Sequence, residues 1–271
     1  MGVERCLVVE DADELSRAAA TLVADALAAT PTASVVAATG RTPMGLYAEL
    51  AVRRASGVVD TAGVTAFQLD EYLGLAPSHP RSFHRFMREA LFDHVNIAPE
   101  RIHVPDGAVS GDLEAYCAEY ERRIARAGGI GLQVLGIGRD GHVGFNEPTS
   151  SLASRTRVKT LTLATIEDNR RVFGEGEPVP ECAITMGIGT ILEAREILLL
   201  GAGPAKRDAV ARAVEGPLTA SVTASALQLH PRVTVLLDRE AAAGLRHLDY
   251  YERVMRTTAA ITPGRAARAS D

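Results

Sequence analysis

The chain has 271 residues, of which 46% are hydrophobic and 23% are charged, and its formal net charge is −5. This size and composition suit one large α/β domain or two small ones, each able to bury a full core. The weakly acidic balance gives no reason to expect nucleic acid or an anionic membrane as a partner. An anionic substrate would therefore need a local basic site.

The cysteines and the first residues indicate the compartment. Cys6, Cys117 and Cys182 are far apart and odd in number, so they predict neither a metal site nor a disulfide framework. The opening residues, MGVERCLVVE, have acids where a signal peptide needs a basic start and an apolar core. No apolar run approaches the length of a membrane span. We therefore expect a cytoplasmic protein.

Short apolar runs alternate along the chain with longer amphipathic segments, of which the first contains Leu15, Ala19 and Leu22 at helical spacing. The strand-like runs, in chain order, are residues 34–38 (SVVAA), 64–69 (VTAFQL), 132–135 (LQVL), 197–200 (ILLL) and 233–237 (VTVLL). Their lack of strict alternation is typical of strands covered on both faces. The order strand, helix, strand predicts an α/β fold with a doubly wound, mostly parallel sheet. Ligands in such sheets bind beyond the carboxyl ends of the strands.

One segment, near residues 160–182, interrupts this pattern. Its part with prolines and acids, residues 173–180 (FGEGEPVP), is typical of either a mobile flap or a plain surface loop. The chain ends in ITPGRAARASD, which is typical of a frayed tail. We predict a single domain over residues 1–271, with a flap and a frayed C-terminal tail.

Residues 37–47 (AATGRTPMGLY) form the first strand-end loop with a possible ligand. Gly40 permits a tight turn, Thr42 is a good N-cap, and Pro43 suits the first helical position. The N-terminus of the following helix would point backbone N–H groups at a ligand, which favours phosphate. An ordinary capped turn fits the same residues.

A second loop, residues 198–210 (LLLGAGPAKRDAV), repeats this pattern. Pro204 opens a helix and Lys206 lies in its first turn, where the helix dipole disfavours a cation. A lysine in this position makes more sense if an anion binds there. Two such loops favour a phosphate ligand more strongly than one.

Two acids, Asp70 and Glu71, directly follow the run at residues 64–69. Acids at a strand end fit a general base, a metal site or a solvated turn, since turns favour aspartate. The pair by itself does not distinguish these alternatives.

The stretch VLGIGRDGHVGFNEP, residues 134–148, places Asp140, His142 and Glu147 within eight residues, among four glycines. A histidine flanked by carboxylates is oriented and kept basic, which suits it to move protons. A loop histidine beside an N-capping aspartate is the alternative. A metal site would need further ligands that the sequence does not identify, so no metal is predicted.

Several motifs resemble the glucosamine-6-phosphate deaminase family in order and spacing: TGRTPMGLY, FQLDEYLGL with HPRSF, IGRDGHVGFNEP, SSLASRTRVKTLT, AITMGIGTIL and ALQLHP. The match extends from Ala37 to beyond His230. The GFNEP ending is associated with the deaminases, whereas the related 6-phosphogluconolactonases share the first glycine-rich loop and the DGH only.

The resemblance implies a Rossmann-like fold and conversion of glucosamine 6-phosphate to fructose 6-phosphate and ammonia, without metal or cofactor. Asp70 matches the base that moves a proton between C2 and C1. His142 matches the group that opens the sugar ring, with Asp140 and Glu147 as its carboxylate partners. The implied partner is therefore a small sugar phosphate.

Lys206 and Arg171 match side chains that hold the substrate phosphate, together with the loop formed by Gly40, Arg41 and Thr42. The family commonly has a small residue where this chain has Arg41. The extra guanidinium could strengthen phosphate binding, point to solvent or alter which sugar fits. The choice between glucosamine and galactosamine 6-phosphate therefore stays open.

Some family members are hexamers that N-acetylglucosamine 6-phosphate activates at subunit interfaces. The positions that match this second site are Ser150, Arg157, Lys159 and Tyr250. Arg157 and Lys159 are two apart, so in a strand both side chains lie on one face. The alternative is an exposed strand edge that carries charge against aggregation.

Three other functions remain. The first is deamination of galactosamine 6-phosphate, and the second is hydrolysis of a sugar-phosphate lactone, in which His142 would activate water and Glu147 would not be needed. The third is a catalytically inactive sugar-phosphate sensor, which would keep Lys206 and Arg171 but lose Asp70 or His142. The presence of all these residues favours a deaminase.

Overall fold

The structure is a computed structural model that describes residues 5–174 and 176–261, with side chains as far as residue 257. The described strands are β1 (Arg5–Val9), β2 (Ser34–Ala37), β3 (Thr65–Gln68), β4 (Asp70–Tyr72), β5 (Ile102–His103), β6 (Leu132–Gly136), β7 (Arg157–Thr160), β8 (Cys182–Thr185), β9 (Glu196–Gly201) and β10 (Val233–Asp238). The described α-helices are α1 (Ala12–Ala29), α2 (Thr42–Ala55), α3 (Phe83–Ala90), α4 (Leu113–Arg126), α5 (Leu163–Arg170), α6 (Ile188–Leu192), α7 (Arg207–Val214), α8 (Arg239–Ala242) and α9 (Leu248–Ile261). Residues 262–271, most of the predicted frayed tail, lie outside the described residues.

Side-chain caps begin several helices. Asp11, Ser82 and Asp112 precede α1, α3 and α4, and each accepts a backbone N–H from the first turn of its helix. Each cap satisfies a donor that has no partner within the helix. None of the described helices combines the length and the apolar character that a bilayer span requires.

Seven strands form a fully parallel sheet in the order β1-β10-β9-β6-β2-β3-β5. The five strand-like runs of the sequence are β2, β3, β6, β9 and β10, so the predicted mostly parallel sheet is confirmed. The two outermost strands, β1 and β5, are not predicted. β5 has only two residues, and acids flank β1 on both sides.

Helices cover both faces of this sheet, because successive residues of a strand point to opposite sides. Val36 and Leu135 belong to a buried cluster that includes residues of α4 and α7. Their neighbours Ala37 and Val134 belong to a second cluster that includes residues of α1 and α2. The doubly wound arrangement therefore agrees with the sequence prediction.

The chain leaves the centre of the sheet in two directions. From β2 it proceeds outward to β3 and β5, and from β6 it proceeds the other way to β9 and β10. β2 and β6 are neighbours, so the order of the strands reverses between them. A crevice at such a switch point, beyond the carboxyl ends of the strands, is where open α/β sheets bind ligands.

A second sheet, which the sequence pattern does not predict, has three antiparallel strands in the order β4-β8-β7. Only Leu69 separates β3 from β4, so no turn signal marks the change of sheet. Asp70 is therefore the first residue of a strand rather than part of a strand-end loop. Residues 161–181, which connect β7 to β8 and contain α5, correspond to the predicted flap and are called the flap segment below.

Candidate active site

Four neighbouring strands of the parallel sheet, β9, β6, β2 and β3, end at the same edge. The residues that follow them include Lys206 after β9, His142 after β6, Thr42 after β2 and Asp70 after β3. Parallel strands present their carboxyl ends together. The structure therefore brings all four predicted loops to one edge, at the switch point.

His142 lies between two carboxylates. Its Nδ1 is 2.6 Å from Asp140 Oδ1 and 3.7 Å from Glu147 Oε2. The ring lies against Gly138, where an added Cβ would come within 2.5–2.6 Å of three ring atoms. Gly141 has a φ of +93°, which favours glycine. The small size of Gly138 thus makes room for the His142 ring. Both carboxylates lie on the Nδ1 side of the ring, so Nε2 is the nitrogen left to exchange a proton with a ligand.

The two carboxylates differ in environment. Burial raises the pKa of Asp140, but contacts with the side chain and backbone of His142 outweigh burial and hold the pKa below its usual value. Glu147 is 1% exposed and accepts hydrogen bonds from Thr162 N–H at 3.2 Å and Thr162 Oγ1 at 3.4 Å. Asp140 is thus an anion beside the His142 ring, while Glu147 joins the histidine to the flap segment.

Among the described residues, Asp140, His142 and Glu147 are the one group of three whose ligand atoms lie close enough to share a metal ion, all within 4.8 Å. The 2.6 Å between His142 Nδ1 and Asp140 Oδ1 is a hydrogen-bond distance. Two atoms bound to one ion at about 2.0–2.2 Å would stand about 3 Å or more apart. The short distance therefore argues against one ion bound to both of these atoms.

Asp70 is a buried carboxyl group with an unused oxygen. It is 4% exposed, and its Oδ1 has no hydrogen-bond partner among the described residues. Burial first, and then the charge of Glu71, raises the pKa of Asp70 to about 8. Gly144, in the loop after β6, packs against Leu69 and Thr185, and Thr185 pairs with Asp70 across β4 and β8. A carboxyl group with a raised pKa therefore lies beside the histidine loop.

Glu71, the alternative base, has a different role. Its Oε1 accepts the N–H groups of Tyr72 and Phe83 at 2.8 and 3.0 Å, and its Oε2 accepts that of His84 at 2.8 Å. Burial raises the pKa of Glu71 to about 7 despite these bonds, which lower it. Both oxygens are thus committed to the first turn of α3 and to β4. Glu71 anchors α3, whereas Asp70 has the free oxygen.

Lys206 lies in a cluster of charges. It ends a 3₁₀ turn, Pro204–Lys206, that follows Gly203, whose φ is +82°. Burial lowers the pKa of Lys206, and the nearby Arg139 lowers it further, while Asp140 and Asp168 oppose these effects. A half-buried ammonium group next to a guanidinium would gain from a bound anion.

The loop after β2 differs in one detail from the prediction. Gly40 has a φ of +118°, and the chain is already helical at Arg41, so Arg41 rather than Thr42 occupies the N-cap position. Arg41 makes no side-chain capping bond, which leaves the first N–H groups of α2 for a ligand. Arg41 is exposed, as is Arg171, the residue that directly follows α5.

Two side-chain contacts that the sequence does not predict join the flap segment to other parts of the chain. Arg139 Nε donates to Asp168 Oδ2 at 3.0 Å, and Arg139 Nη2 contacts the second oxygen. His79 Nε2 lies 3.1 Å from Glu177 Oε1. The two residues of the first pair are 29 positions apart, so no local pattern in the sequence predicts their contact. The sequence indicates only that Arg139 lies next to Asp140.

The residues predicted for a second ligand site are partly brought together. Arg157 and Lys159 lie two apart on β7. Arg157 Nη1 donates to Asn146 Oδ1 at 2.9 Å. Arg157 Nη2 and Ser150 Oγ are buried without a hydrogen-bond partner among the described residues. Tyr250 is 63% exposed on α9, which packs against β1 at the edge of the parallel sheet, whereas Arg157 and Lys159 lie in the second sheet.

Comparison with known proteins decides the family. A sequence model described as glucosamine-6-phosphate isomerases/6-phosphogluconolactonase matches residues 10–236. The chain belongs to this family. The family includes the glucosamine-6-phosphate deaminase of Hahella chejuensis (strain KCTC 2396), which is 51% identical over 254 residues, 94% of this chain and 97% of the relative. That of Shewanella loihica (strain ATCC BAA-1088 / PV-4) is 49% identical over 248 residues, 92% of each chain.

Solved structures of the family share the fold. A monomeric glucosamine-6-phosphate deaminase superposes with a TM-score of 0.85 at 42% identity, covering 89% of this chain and 99% of the other. The 6-phosphogluconolactonase of Trypanosoma brucei superposes with a TM-score of 0.72 at 21% identity, covering 90% and 100%. This second likeness shows the fold alone. The family resemblance predicted from the sequence motifs is confirmed.

Asp70 should titrate far above an ordinary aspartate, which has a pKa of about 3.9. Because burial raises its pKa to about 8, the carboxyl resonance of Asp70 should have its midpoint near that pH. The measurement is carbon-13 NMR of protein labelled at the aspartate carboxyl groups. Asp70→Asn, which keeps the shape of the side chain, identifies the resonance by its loss.

The same shift predicts how stability depends on pH. The folded state holds the Asp70 proton more tightly than the unfolded state does, so the stabilisation is present below about pH 4 and is lost as the pH rises to about 8. Asp70→Asn should lose less stability than the wild type over this interval. An Asp70 midpoint below pH 5 would refute the raised pKa.

Proposed function

We propose that the protein converts glucosamine 6-phosphate to fructose 6-phosphate and ammonia. The observation that carries this proposal is the presence of two separate proton-transfer groups at one sheet edge: His142 between its carboxylates, and buried Asp70. Ring opening and aldose–ketose isomerisation need one group each. Lactone hydrolysis needs only one group to activate water, and a sensor needs neither. The deaminases that are about half identical to this chain support the same choice.

Ring opening is assigned to His142. Its Nε2 takes the proton from the C1 hydroxyl of the closed sugar and returns a proton to the ring oxygen. The imidazolium that forms between these two transfers is stabilised by Asp140, 2.6 Å from Nδ1. Glu147, at 3.7 Å, adds a second negative charge on the same side of the ring. The result is the open-chain aminosugar with an aldehyde at C1.

Isomerisation is assigned to Asp70. The aldehyde acidifies the hydrogen on C2, so a carboxylate suffices as base and the carbonyl group itself accepts the electron pair. Asp70 removes the C2 proton, while the carbonyl oxygen gains a proton and the ammonium group loses one, which gives an enol that carries an amino group at C2. Asp70 then returns its proton to C1, which leaves a hydroxyl group at C1 and an iminium group at C2. Water adds to that carbon and ammonia leaves, giving the ketone of fructose 6-phosphate. The raised pKa makes Asp70 a stronger base, and the substrate ammonium group favours its ionised form.

The phosphate end of the substrate is assigned to the charges around Lys206. Lys206, Arg171 and the first N–H groups of α2 would hold the phosphate, with Arg41 at the rim. The phosphate is remote from C1 and C2, so its binding can orient the reacting carbons without taking part in the chemistry. Each charge-assisted bond contributes about 1.5–3 kcal/mol, so a substrate without phosphate would lose orders of magnitude in efficiency.

The direct test is incubation of the purified protein with glucosamine 6-phosphate while ammonia and fructose 6-phosphate are measured. Both products should form in equal amounts, and unphosphorylated glucosamine should release none. Asp70→Asn should lower turnover by about 100-fold or more, with substrate binding largely kept, because the amide cannot act as a base.

Other outcomes identify the alternatives. Hydrolysis of 6-phosphogluconolactone without ammonia from the aminosugar would refute the deaminase. Activity on galactosamine 6-phosphate alone would keep the mechanism but change the substrate, and Arg41→Gly would then be the first variant to examine. Near-normal turnover of Asp70→Asn would refute the role of Asp70.

A second part of the proposal is that an acetylated aminosugar phosphate activates the enzyme at Ser150, Arg157 and Lys159. Two features support it: the buried Arg157 Nη2 and Ser150 Oγ lack partners among the described residues, and Arg157 donates to Asn146, the residue before Glu147. A ligand that moves Arg157 would thus act on the loop after β6 that carries Arg139, His142 and Glu147, which is called the catalytic loop below.

N-acetylglucosamine 6-phosphate should therefore raise the apparent affinity for the substrate and turn a sigmoidal saturation curve into a hyperbola, as expected if it prefers one of two states. Lys159→Ala should keep the sigmoidal curve and lose the response. Titration of the activator into both proteins measures this. A hyperbolic wild-type curve that the activator leaves unchanged would exclude the control site.

A further inference from the structure

Helix α5 is held at both ends by the loop that carries His142. Before its first turn, Thr162 donates through N–H and Oγ1 to Glu147, at 3.2 and 3.4 Å. In its last turn, Asp168 accepts from Arg139 Nε at 3.0 Å and contacts Nη2 through its other oxygen. The second contact is a two-bond fork, which fixes the orientation of both side chains.

The far part of the flap segment is held separately. Phe173 is buried and packs edge-on against Tyr72, with ring centroids 5.6 Å apart. His79 Nε2 lies 3.1 Å from Glu177 Oε1, further along the segment. The first contact anchors the flap segment to β4, and the second anchors it to the residues between β4 and α3. The Arg139–Asp168 pair, called the tether below, joins the last turn of α5 directly to the loop that carries His142.

This tether lies beside the proposed phosphate site. Arg139 and Asp168 both act electrostatically on Lys206, one lowering and the other raising its pKa. Arg171 follows Asp168 by three residues, at the end of α5, and residues at this spacing share one side of a helix. Any rotation of the end of α5 would therefore move Arg171 relative to Lys206.

We propose that Arg139 and Asp168 form a latch that holds α5 against the catalytic loop and thereby positions Arg171 opposite Lys206 for the substrate phosphate. Both are positioning residues and neither touches the reacting carbons. This inference rests on the proposed phosphate-binding role of Lys206 and Arg171. Loss of the latch leaves the chemistry at His142 and Asp70 intact. It lowers the fraction of protein molecules in which Lys206 and Arg171 are both in position to bind the phosphate.

The exposure of the pair argues for positioning rather than stability. The Arg139 and Asp168 side chains are 59% and 40% exposed, and ion pairs this exposed contribute little to the stability of a fold. The matched control is Glu167–Arg170, an exposed pair at 2.9 Å within the same helix that does not reach the catalytic loop. Asp168→Asn removes the Arg139–Asp168 pair and Glu167→Gln removes the control pair, and each of these substitutions keeps the shape of the side chain.

Kinetics on glucosamine 6-phosphate provide the first test. Asp168→Asn and Arg139→Gln should each raise KM by about two- to five-fold, the range for an exposed pair, with kcat kept. The double variant should be no worse than either single variant, because both remove one interaction. Asp168→Glu should recover part of the loss. Glu167→Gln should behave as the wild type.

Two kinetic outcomes would overturn the latch. If Arg139 is itself a phosphate ligand that Asp168 neutralises, Asp168→Asn lowers KM while Arg139→Gln raises it. If Glu167→Gln raises KM as much as Asp168→Asn does, the effect belongs to the stability of α5 and not to the tether.

Hydrogen exchange of the free protein tests the latch without any reaction. Backbone amides of residues 165–172 should exchange faster in Asp168→Asn and Arg139→Gln than in the wild type or Glu167→Gln, with no change in β6 or β9. Unchanged exchange in the two latch variants would overturn the inference. Because this readout needs no substrate, it separates failure of the latch from failure of the proposed activity.

Discussion

Parallel pairing of β9, β6, β2 and β3 is the constraint on which the rest of the site depends. It brings the residues after four strands to one edge, although these residues are far apart in the sequence. The reversal of strand order between β2 and β6 opens the crevice there. The site then needs only local features: glycines that let the ring of His142 lie against the loop, and a short strand that carries Asp70 into a buried position.

Much of this could be predicted because the signals are local. The five buried runs mark the central strands, and strand-to-helix loops with glycine and proline mark the phosphate end. The second sheet could not be predicted, since β4 has three residues and follows β3 after Leu69 alone. The side chain of Thr42 predicts an N-cap, but the backbone at Arg41 is already helical. Contacts such as Arg139–Asp168 depend on where the flap segment folds back, which no local pattern specifies.

Asp70 and Glu71 show how the fold separates two neighbouring acids. Successive strand residues point to opposite sides, so one carboxylate faces the start of α3 and the other does not. Glu71 receives three backbone N–H groups there, whereas Asp70 Oδ1 receives none from the described residues. The sequence by itself allows either acid to be a general base. The structure gives a physical reason to prefer Asp70, because both oxygens of Glu71 accept backbone N–H groups whereas Asp70 Oδ1 is not committed to any hydrogen bond with the described residues.

The most direct test of a single fixed base is the fate of hydrogen at C1 of the product. Glucosamine 6-phosphate is converted in deuterated water, and the first fructose 6-phosphate formed is examined by proton NMR. If Asp70 delivers the proton from one face, deuterium appears at only one of the two C1 positions, diluted by hydrogen carried over from C2. Deuterium divided equally between both positions would contradict a base fixed on one side of the substrate.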